Sequence, residues 1–290
     1  MNDYIIETHD LTKKYGNQDS VSHLNIHVRK GRIYGLLGRN GAGKTTTIKA
    51  ILNLIDIGGG EISVLGSPNK ITKRTREDIG VVFDDICFHE NLSVSQLGKV
   101  MQGMYKRWDM ALFKQYCQRF SLDSKKRVGD LSKGMKMKLS ITVALSHQPR
   151  LLILDEATSG LDPVMRDEIL DVFLDFIQDE QNSVLLSSHI TSDLEKVADY
   201  IVFIHQGKVI FSLTKDTLLY QYGILRCRTD EFKQIDKDDI LAYQKKDFEW
   251  EVLVADKEKA AQKYKKCVID HATIDEIMLL YIKGVQQCEG

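Results

Sequence analysis

No apolar run in this chain of 290 residues is long enough to cross a bilayer. The longest, such as Leu151 to Leu154 and Ile201 to Ile204, are strand-sized and fall far short of the roughly 18–20 residues that a span requires. An excess of charge is also missing. Forty Lys and Arg meet forty-one Asp and Glu, a formal net charge of −1, which removes any whole-protein attraction to nucleic acid or to an anionic membrane surface. The five cysteines, Cys87, Cys117, Cys227, Cys267 and Cys288, are scattered, with no close pairs. They are expected to be reduced, partly buried thiols, and a zinc knuckle or redox pair is not expected. The start, MNDYIIETHD, lacks a signal-peptide pattern and reads directly into a strand, so the chain is expected in the cytosol. Internal repeats and low-complexity tracts are absent as well.

What is present is enough chain for one large domain and a smaller appendage. Short apolar runs at Tyr4 to Glu7, Ile26 to Val28 and Arg32 to Leu37 predict strands joined by short loops, with a helix after Gly43. Glu61 to Leu65 and Ile79 to Phe83 predict two more strands. From Ser93 to about Phe120 the spacing turns helical, with Asp109 as a cap. A helix is expected over Ser132 to Ser146, ended by Pro149, and then the apolar strand Leu151 to Leu154. Asp162 and Pro163 predict the start of a helix whose apolar stripe is Met165, Ile169, Val172, Phe173 and Phe176. A strand at Ser183 to Ser187, a helix near Asp193 to Ala198 and a strand pair turning at Gln206 and Gly207 complete a strand and helix alternation. That alternation predicts an α/β sheet of the mononucleotide-binding kind. Beyond about Thr214 the composition becomes more charged, with a strand at Trp250 to Val254 and helices near Lys257 to Lys266 and Ile274 to Lys283. The expected division is residues 1–213, containing a helical subdomain at about 84–145, and a small α+β domain at 214–290.

The strand ending at Leu37 runs into GRNGAGKTT, in which Gly38, Gly43, Lys44 and Thr45 match Gly-x-x-x-x-Gly-Lys-Ser/Thr ahead of an apolar helix. A triphosphate carries up to four negative charges. Glycines let the backbone N–H groups of Gly38, Arg39, Asn40, Gly41, Ala42, Gly43, Lys44, Thr45 and Thr46 curl around it, and the helix N-terminus adds positive potential. Lys44 is then placed on the β- and γ-phosphates and the Thr45 hydroxyl on Mg²⁺. The expected ligands are therefore ATP and Mg²⁺.

Downstream residues separate the classes that share this loop. Asp56 and Gly59 fit Asp-x-x-Gly, but the position two after Lys70 is Thr72, where guanine recognition requires Asp, so guanine selectivity is unsupported. LLILDEATSGLDP at Leu151 to Pro163 instead supplies a strand ending in two carboxylates. Asp155 at the strand end can hold Mg²⁺ through water, and Glu156 can polarise the attacking water.

With these motifs in place the chain resembles the ABC ATPase family over roughly residues 4–212, that is, a P-loop NTPase nucleotide-binding domain. LSKGM at Leu131 to Met135 is similar to the signature Leu-Ser-Gly-Gly-Gln, keeping Ser132 and Gly134 but carrying Lys133 and Met135. The resemblance implies that Ser132 and Gly134 of one subunit close over the γ-phosphate held by another. It implies that Asp162, in SGLD, runs along that interface, that His189 is a switch histidine on the γ-phosphate, and that Tyr15 stacks on adenine. One departure stands out: Asp84, followed by Asp85, occupies the place of the family's glutamine, and a carboxylate there can only accept. It is read as a ligand to Mg²⁺ or to the attacking water. Glu156, His189 and Lys44 form the catalytic set.

TIDEIMLLYIKG at Thr273 to Gly284 resembles the closing segment of bacitracin-type and lantibiotic-type export ATPases, and the chain is also similar to the ATPases of phenol-soluble modulin exporters. The resemblance implies an ATPase that powers a separate transmembrane permease, paired with a second ATPase subunit, like or unlike, on the inner face of the membrane. Peptides or toxins are the expected cargo. The rival readings are a soluble ABC ATPase, which usually has two cassettes or a long coiled-coil insertion, and a nucleotide-dependent sensor subunit.

Overall fold

Alternation of buried and exposed residues carries the chain through a long hairpin of β1 (Tyr4–Tyr15) and β2 (Gln18–Arg29) in the computed structural model, which describes residues 3–16, 18–84 and 88–286. Asp85, Cys87 and Cys288, read from the sequence above, lie outside the described residues. The short strands expected here are two strands of 12 residues each. The alternation is interrupted where Asp10 and His23 adopt positive φ and the register of β1 on β2 shifts. Such bulges break the period that marks a strand in sequence while leaving the ladder intact.

The hairpin leads to β3 (Ile33–Leu37) and, after the glycine-rich loop, α1 (Lys44–Ile51). β4 (Gly59–Val64) and β5 (Ser67–Pro68) return to the hairpin, giving an antiparallel sheet in the order β2-β1-β4-β5. The connection to β6 (Ile79–Val82) holds a short helix, α2 (Lys73–Glu77). Next come α3 (Val94–Met104), closed by a capping box of Ser93 and Gln96, and α4 (Met110–Arg119), capped by Asp109 as the sequence predicts. α5 (Lys133–Ser146) starts at its cap Ser132, whose hydroxyl accepts from the Met135 N–H, and is buried along almost its whole length. It ends ahead of Pro149 and is followed by β7 (Leu151–Asp155), α6 (Pro163–Phe176), β8 (Ser183–Ser188), α7 (Thr191–Val197), β9 (Tyr200–His205) and β10 (Lys208–Thr214).

β6, β7, β8, β3 and β9 form a parallel array in the six-stranded sheet β10-β9-β3-β8-β7-β6. Leu151 to Leu154 are fully buried, as a strand covered on both faces must be. Each contributes about 1.5–3 kcal/mol of apolar burial. The parallel register sets function: Val82, Leu154, Leu186 and Gly35 lie level across the sheet. The residues just past these strands therefore emerge together at one sheet edge, where α/β sheets bind ligands.

The chain divides into two compact units, Met1–Ser212 and Leu213–Gly290. The second contains β11 (Gly223–Cys227), α8 (Thr229–Phe232), β12 (Ala242–Lys245), β13 (Trp250–Val254), α9 (Lys257–Lys263), β14 (Val268–His271), α10 (Ile274–Lys283) and β15 (Val285–Gln286). Its antiparallel sheet runs β14-β11-β13-β12-β15. The core comprises Leu225, Val252 and Val254 with Ile235, Ile240 and Ala260. Among the described residues no helix is long and apolar enough to cross a membrane. Cys117 and Cys227 are buried and Cys267 partly so, all three free. Burial pushes the Cys117 thiol up to about 11, which suits an inert core sulfur.

Candidate active site

The loop between β3 and α1 wraps the edge of the sheet because two of its glycines have no room for a side chain. A Cβ on Gly38 would lie 2.6 Å from the Ile204 carbonyl oxygen, and one on Gly43 2.7 Å from that of Ser20. Gly43 also has φ 112°, a backbone that only glycine adopts without strain. The turn leaves the first N–H groups of α1 at the mouth of a cleft of about 300 Å³, lined by Ser20, Asn40, Gly41, Gly43, Lys44, Thr45, Thr46 and Glu156. A second cleft, of about 490 Å³, adjoins it through Asn40 and Gly41 and is lined by Arg39, Ala42, His189, His205 and Gln206.

Lys44 is almost fully buried, and a buried ammonium must be paired. Its Nζ donates to the carbonyls of Gly38 at 2.6 Å and Arg39 at 3.3 Å and lies 3.0 Å from Glu156 Oε1. The other oxygen of the same carboxylate, Oε2, is 2.7 Å from His189 Nδ1. A carboxylate partner selects the Nδ1–H tautomer, so Glu156 bridges the loop lysine and the histidine. Lys44, Glu156 and His189, picked from separate motifs, are thus one connected group.

Glu156 reaches this position through an unusual backbone. Its φ is 55°, a left-handed conformation that costs a side-chain-bearing residue about 1–3 kcal/mol and is characteristic of functional sites. The turn is held by Ser187 on the neighbouring strand, whose Oγ accepts from the Glu156 N–H at 3.0 Å and donates to Asp155 Oδ1 at 2.7 Å. Ser187 was not singled out as a site residue. Its signal is its place in the Ser-Ser before His189, which a search for charged chemistry passes over. Ser20 was likewise missed; its hydroxyl donates to Thr46 Oγ1 at 2.9 Å.

The cradle fits a polyphosphate: a buried cation, a helix N-terminus and glycine-lined backbone face one cleft. The exposed Thr45 and the buried Asp155 carboxylate are hard oxygen donors of the kind Mg²⁺ prefers.

Seven of the sequence-predicted residues line neither cleft, among them Gly38 at the base of the loop and the buried Asp155 at the end of β7. Tyr15 ends β1 exposed, with Lys13 Nζ 5.1 Å from its ring centroid. Ser132 and Asp162 cap α5 and α6, the latter accepting from the Met165 N–H at 3.0 Å. Gly134 packs against Met165, where a Cβ would collide with its sulfur. Asp84 is also outside both clefts. Its carboxylate lies 2.9 Å from the Nζ of Lys133, the first residue of α5, so the sequence expectation of a carboxylate turned to Mg²⁺ meets a carboxylate occupied by a lysine. Lys133 is a further residue that the motif reading registered only as a departure.

The ABC transporter family model matches residues 21–159. The chain is 41% identical over 220 residues to the bacitracin transport ATP-binding protein BcrA of Bacillus licheniformis, covering 74% of this chain and 71% of that one. It is 33% identical over 214 residues to the lantibiotic transport ATP-binding protein SrtF of Streptococcus pyogenes, covering 73% and 92%. A solved ATP-binding subunit of an ABC transporter superposes with a TM-score of 0.64 at 28% identity, over 74% of this chain and 91% of that one. The fold is shared too with the cassette MJ0796, solved as a dimer in a post-hydrolysis state with ADP and Pi, at a TM-score of 0.65 and 18% identity over 72% and 98% of the two chains.

Proposed function

This chain belongs to the ATP-binding proteins of ABC transporters and is an ATPase of that family, and from that premise we propose that it drives a separate membrane-spanning permease that exports peptides. The relatives named for bacitracin and lantibiotic transport support the cargo class. The observation that carries the catalytic reading is the Lys44, Glu156 and His189 group at the end of three parallel strands.

In this reading the phosphates of ATP take Lys44 away from Glu156. The freed carboxylate then accepts a proton from the attacking water, with His189 holding it in place and contacting the γ-phosphate. Thr45 and Asp155 would hold Mg²⁺, which neutralises charge on the phosphate oxygens. Tyr15 stacks on adenine. Ser132 and Gly134 of one subunit, with Asp162 beside them, cover the nucleotide of a second ATPase subunit, and binding energy shifts the pair towards the closed state. The helical segment at about 84–145 passes the motion to the permease, which keeps the chain at the inner face of the membrane. The segment after residue 213 forms an accessory domain. The test is phosphate release from Mg-ATP by the chain copurified with its permease, coupled to peptide export. Turnover without export, with the chain active on its own, would favour a soluble ATPase.

Asp84 and Lys133 replace an amide and a glycine of the family pattern, and they replace them with opposite charges that meet. Both side chains are about half exposed, so their contact adds at most about 1 kcal/mol to stability. Its value is local: Lys133 offsets a carboxylate that would otherwise repel phosphate, and it ties the loop after β6 to the first turn of α5. Asp84→Lys or Lys133→Asp alone, which places like charges together, is expected to lower ATP turnover several-fold, and the double exchange to recover most of it. A double exchange no better than the worse single variant would refute the coupling.

A further inference from the structure

On the outer face of the β2-β1-β4 sheet, Glu7 and His9 are two apart on β1, and His27 stands directly across from Glu7 on β2. One ligand atom from each lies within 4.8 Å of the others. The imidazoles of His9 and His27 meet edge to face at 5.4 Å between centroids, and Tyr4 lies against the far side of His27 at 5.3 Å. We infer that Glu7, His9 and His27 form a surface site for a divalent first-row transition ion, with zinc as the ion of choice.

The ligand chemistry sets the class. Two imidazole nitrogens and one carboxylate oxygen suit zinc and its neighbours in the series, whereas Ca²⁺ and Mg²⁺ call for an all-oxygen shell and softer ions for thiolate. Zinc bonds of about 2.0–2.2 Å place tetrahedral ligands about 3.4 Å apart.

The backbone beneath is already fixed. Ile6, Thr8, Ile26 and Val28, the alternate residues, are buried. The Thr8 hydroxyl donates to the Leu24 carbonyl at 3.0 Å and accepts from the Ile26 N–H at 2.9 Å, clasping β1 to β2 beside the ligands. Glu61 is the register partner of His9 on β4, placed as a carboxylate that can orient a ligating imidazole from behind. With three protein ligands the remaining position is left to water, so binding is reversible and weaker than at a closed four-ligand site. The ion ties together the two strands that also carry Tyr15 and Ser20.

The test is titration of the full chain with Zn²⁺ against a chromophoric chelator, alongside Co²⁺ absorption spectra. One Zn²⁺ per chain is expected, weakened about 100-fold or more in His9→Ala and in His27→Ala and unchanged in His23→Ala, whose imidazole instead pairs with Asp10 at 2.6 Å. The Co²⁺ spectrum should lack thiolate charge-transfer bands, which separates this site from the cysteines of the second unit. ATP turnover measured without zinc should be the same in His27→Ala as in the parent. Zinc binding of parental affinity in a His9→Ala, His27→Ala double variant, or no binding by the parent at high micromolar free zinc, would overturn the assignment.

Discussion

Replacing Glu156 with Gln is expected to lower the rate of ATP hydrolysis by about 10²–10⁴-fold, the contribution of a positioned general base, while ATP affinity is kept or improved. The two effects have one origin. In the structure the carboxylate does two things: it sits on Lys44 Nζ at 3.0 Å and it holds His189 at 2.7 Å. An amide of the same shape cannot take a proton from water, so turnover collapses. It also carries no charge, so it no longer competes with the phosphates for Lys44, and the bound, closed form accumulates. Single-turnover phosphate release and equilibrium ATP binding, measured on the same variant, check both halves. Hydrolysis at the parental rate would remove Glu156 from the base role.

Lys44→Ala acts at the other end of the same contact, and its signature is opposite. The variant loses the ammonium that lies 3.0 Å from Glu156, the same group on which the phosphates depend. Truncating one partner of a buried charge pair costs about 2–5 kcal/mol, so ATP binding is expected to weaken by about 30-fold or more. Turnover at saturating ATP should also fall, because the lysine contacts oxygens whose charge changes during transfer. Titration with a fluorescent ATP analogue distinguishes this from the Glu156 variant: one binds and does not turn over, the other scarcely binds.

The parts of this site that were legible in the sequence are those whose residues are contiguous. The glycine loop, Lys44 and Thr45 lie in one run of nine residues, and the β7 strand delivers Asp155 and Glu156 as neighbours, so spacing alone conveys their geometry. Contacts that cross the sheet were not legible. Ser187 joins Asp155 and Glu156 through parallel register, and the Asp84 contact with Lys133 joins the loop after β6 to the start of α5, far apart in sequence. A serine in a strand and a lysine at the start of a helix carry no local mark of such roles.

The same distinction holds for the fold. β3, β7 and β8 have strong apolar patterns, α1 follows the glycine loop and α6 the Asp162 cap with its proline, and all appear where the sequence places them. The hairpin of β1 and β2 is longer than the pattern suggests because bulges at Asp10 and His23 shift its phase. In the second unit β11, β12 and β14 are short and partly charged. Even the β13 strand buries Glu251, whose carboxylate accepts from Gln244 at 2.8 Å and Lys246 at 2.7 Å. Polar residues satisfied by partners on an adjacent strand read as loop until that strand is known.

The structure of the Glu156→Gln variant with Mg-ATP tests the central claim most directly. The account predicts a triphosphate in the glycine cradle against Lys44, covered by Ser132 and Gly134 of a second subunit. A triphosphate bound elsewhere, or one that leaves Lys44 on residue 156 and the cradle uncovered, would contradict it.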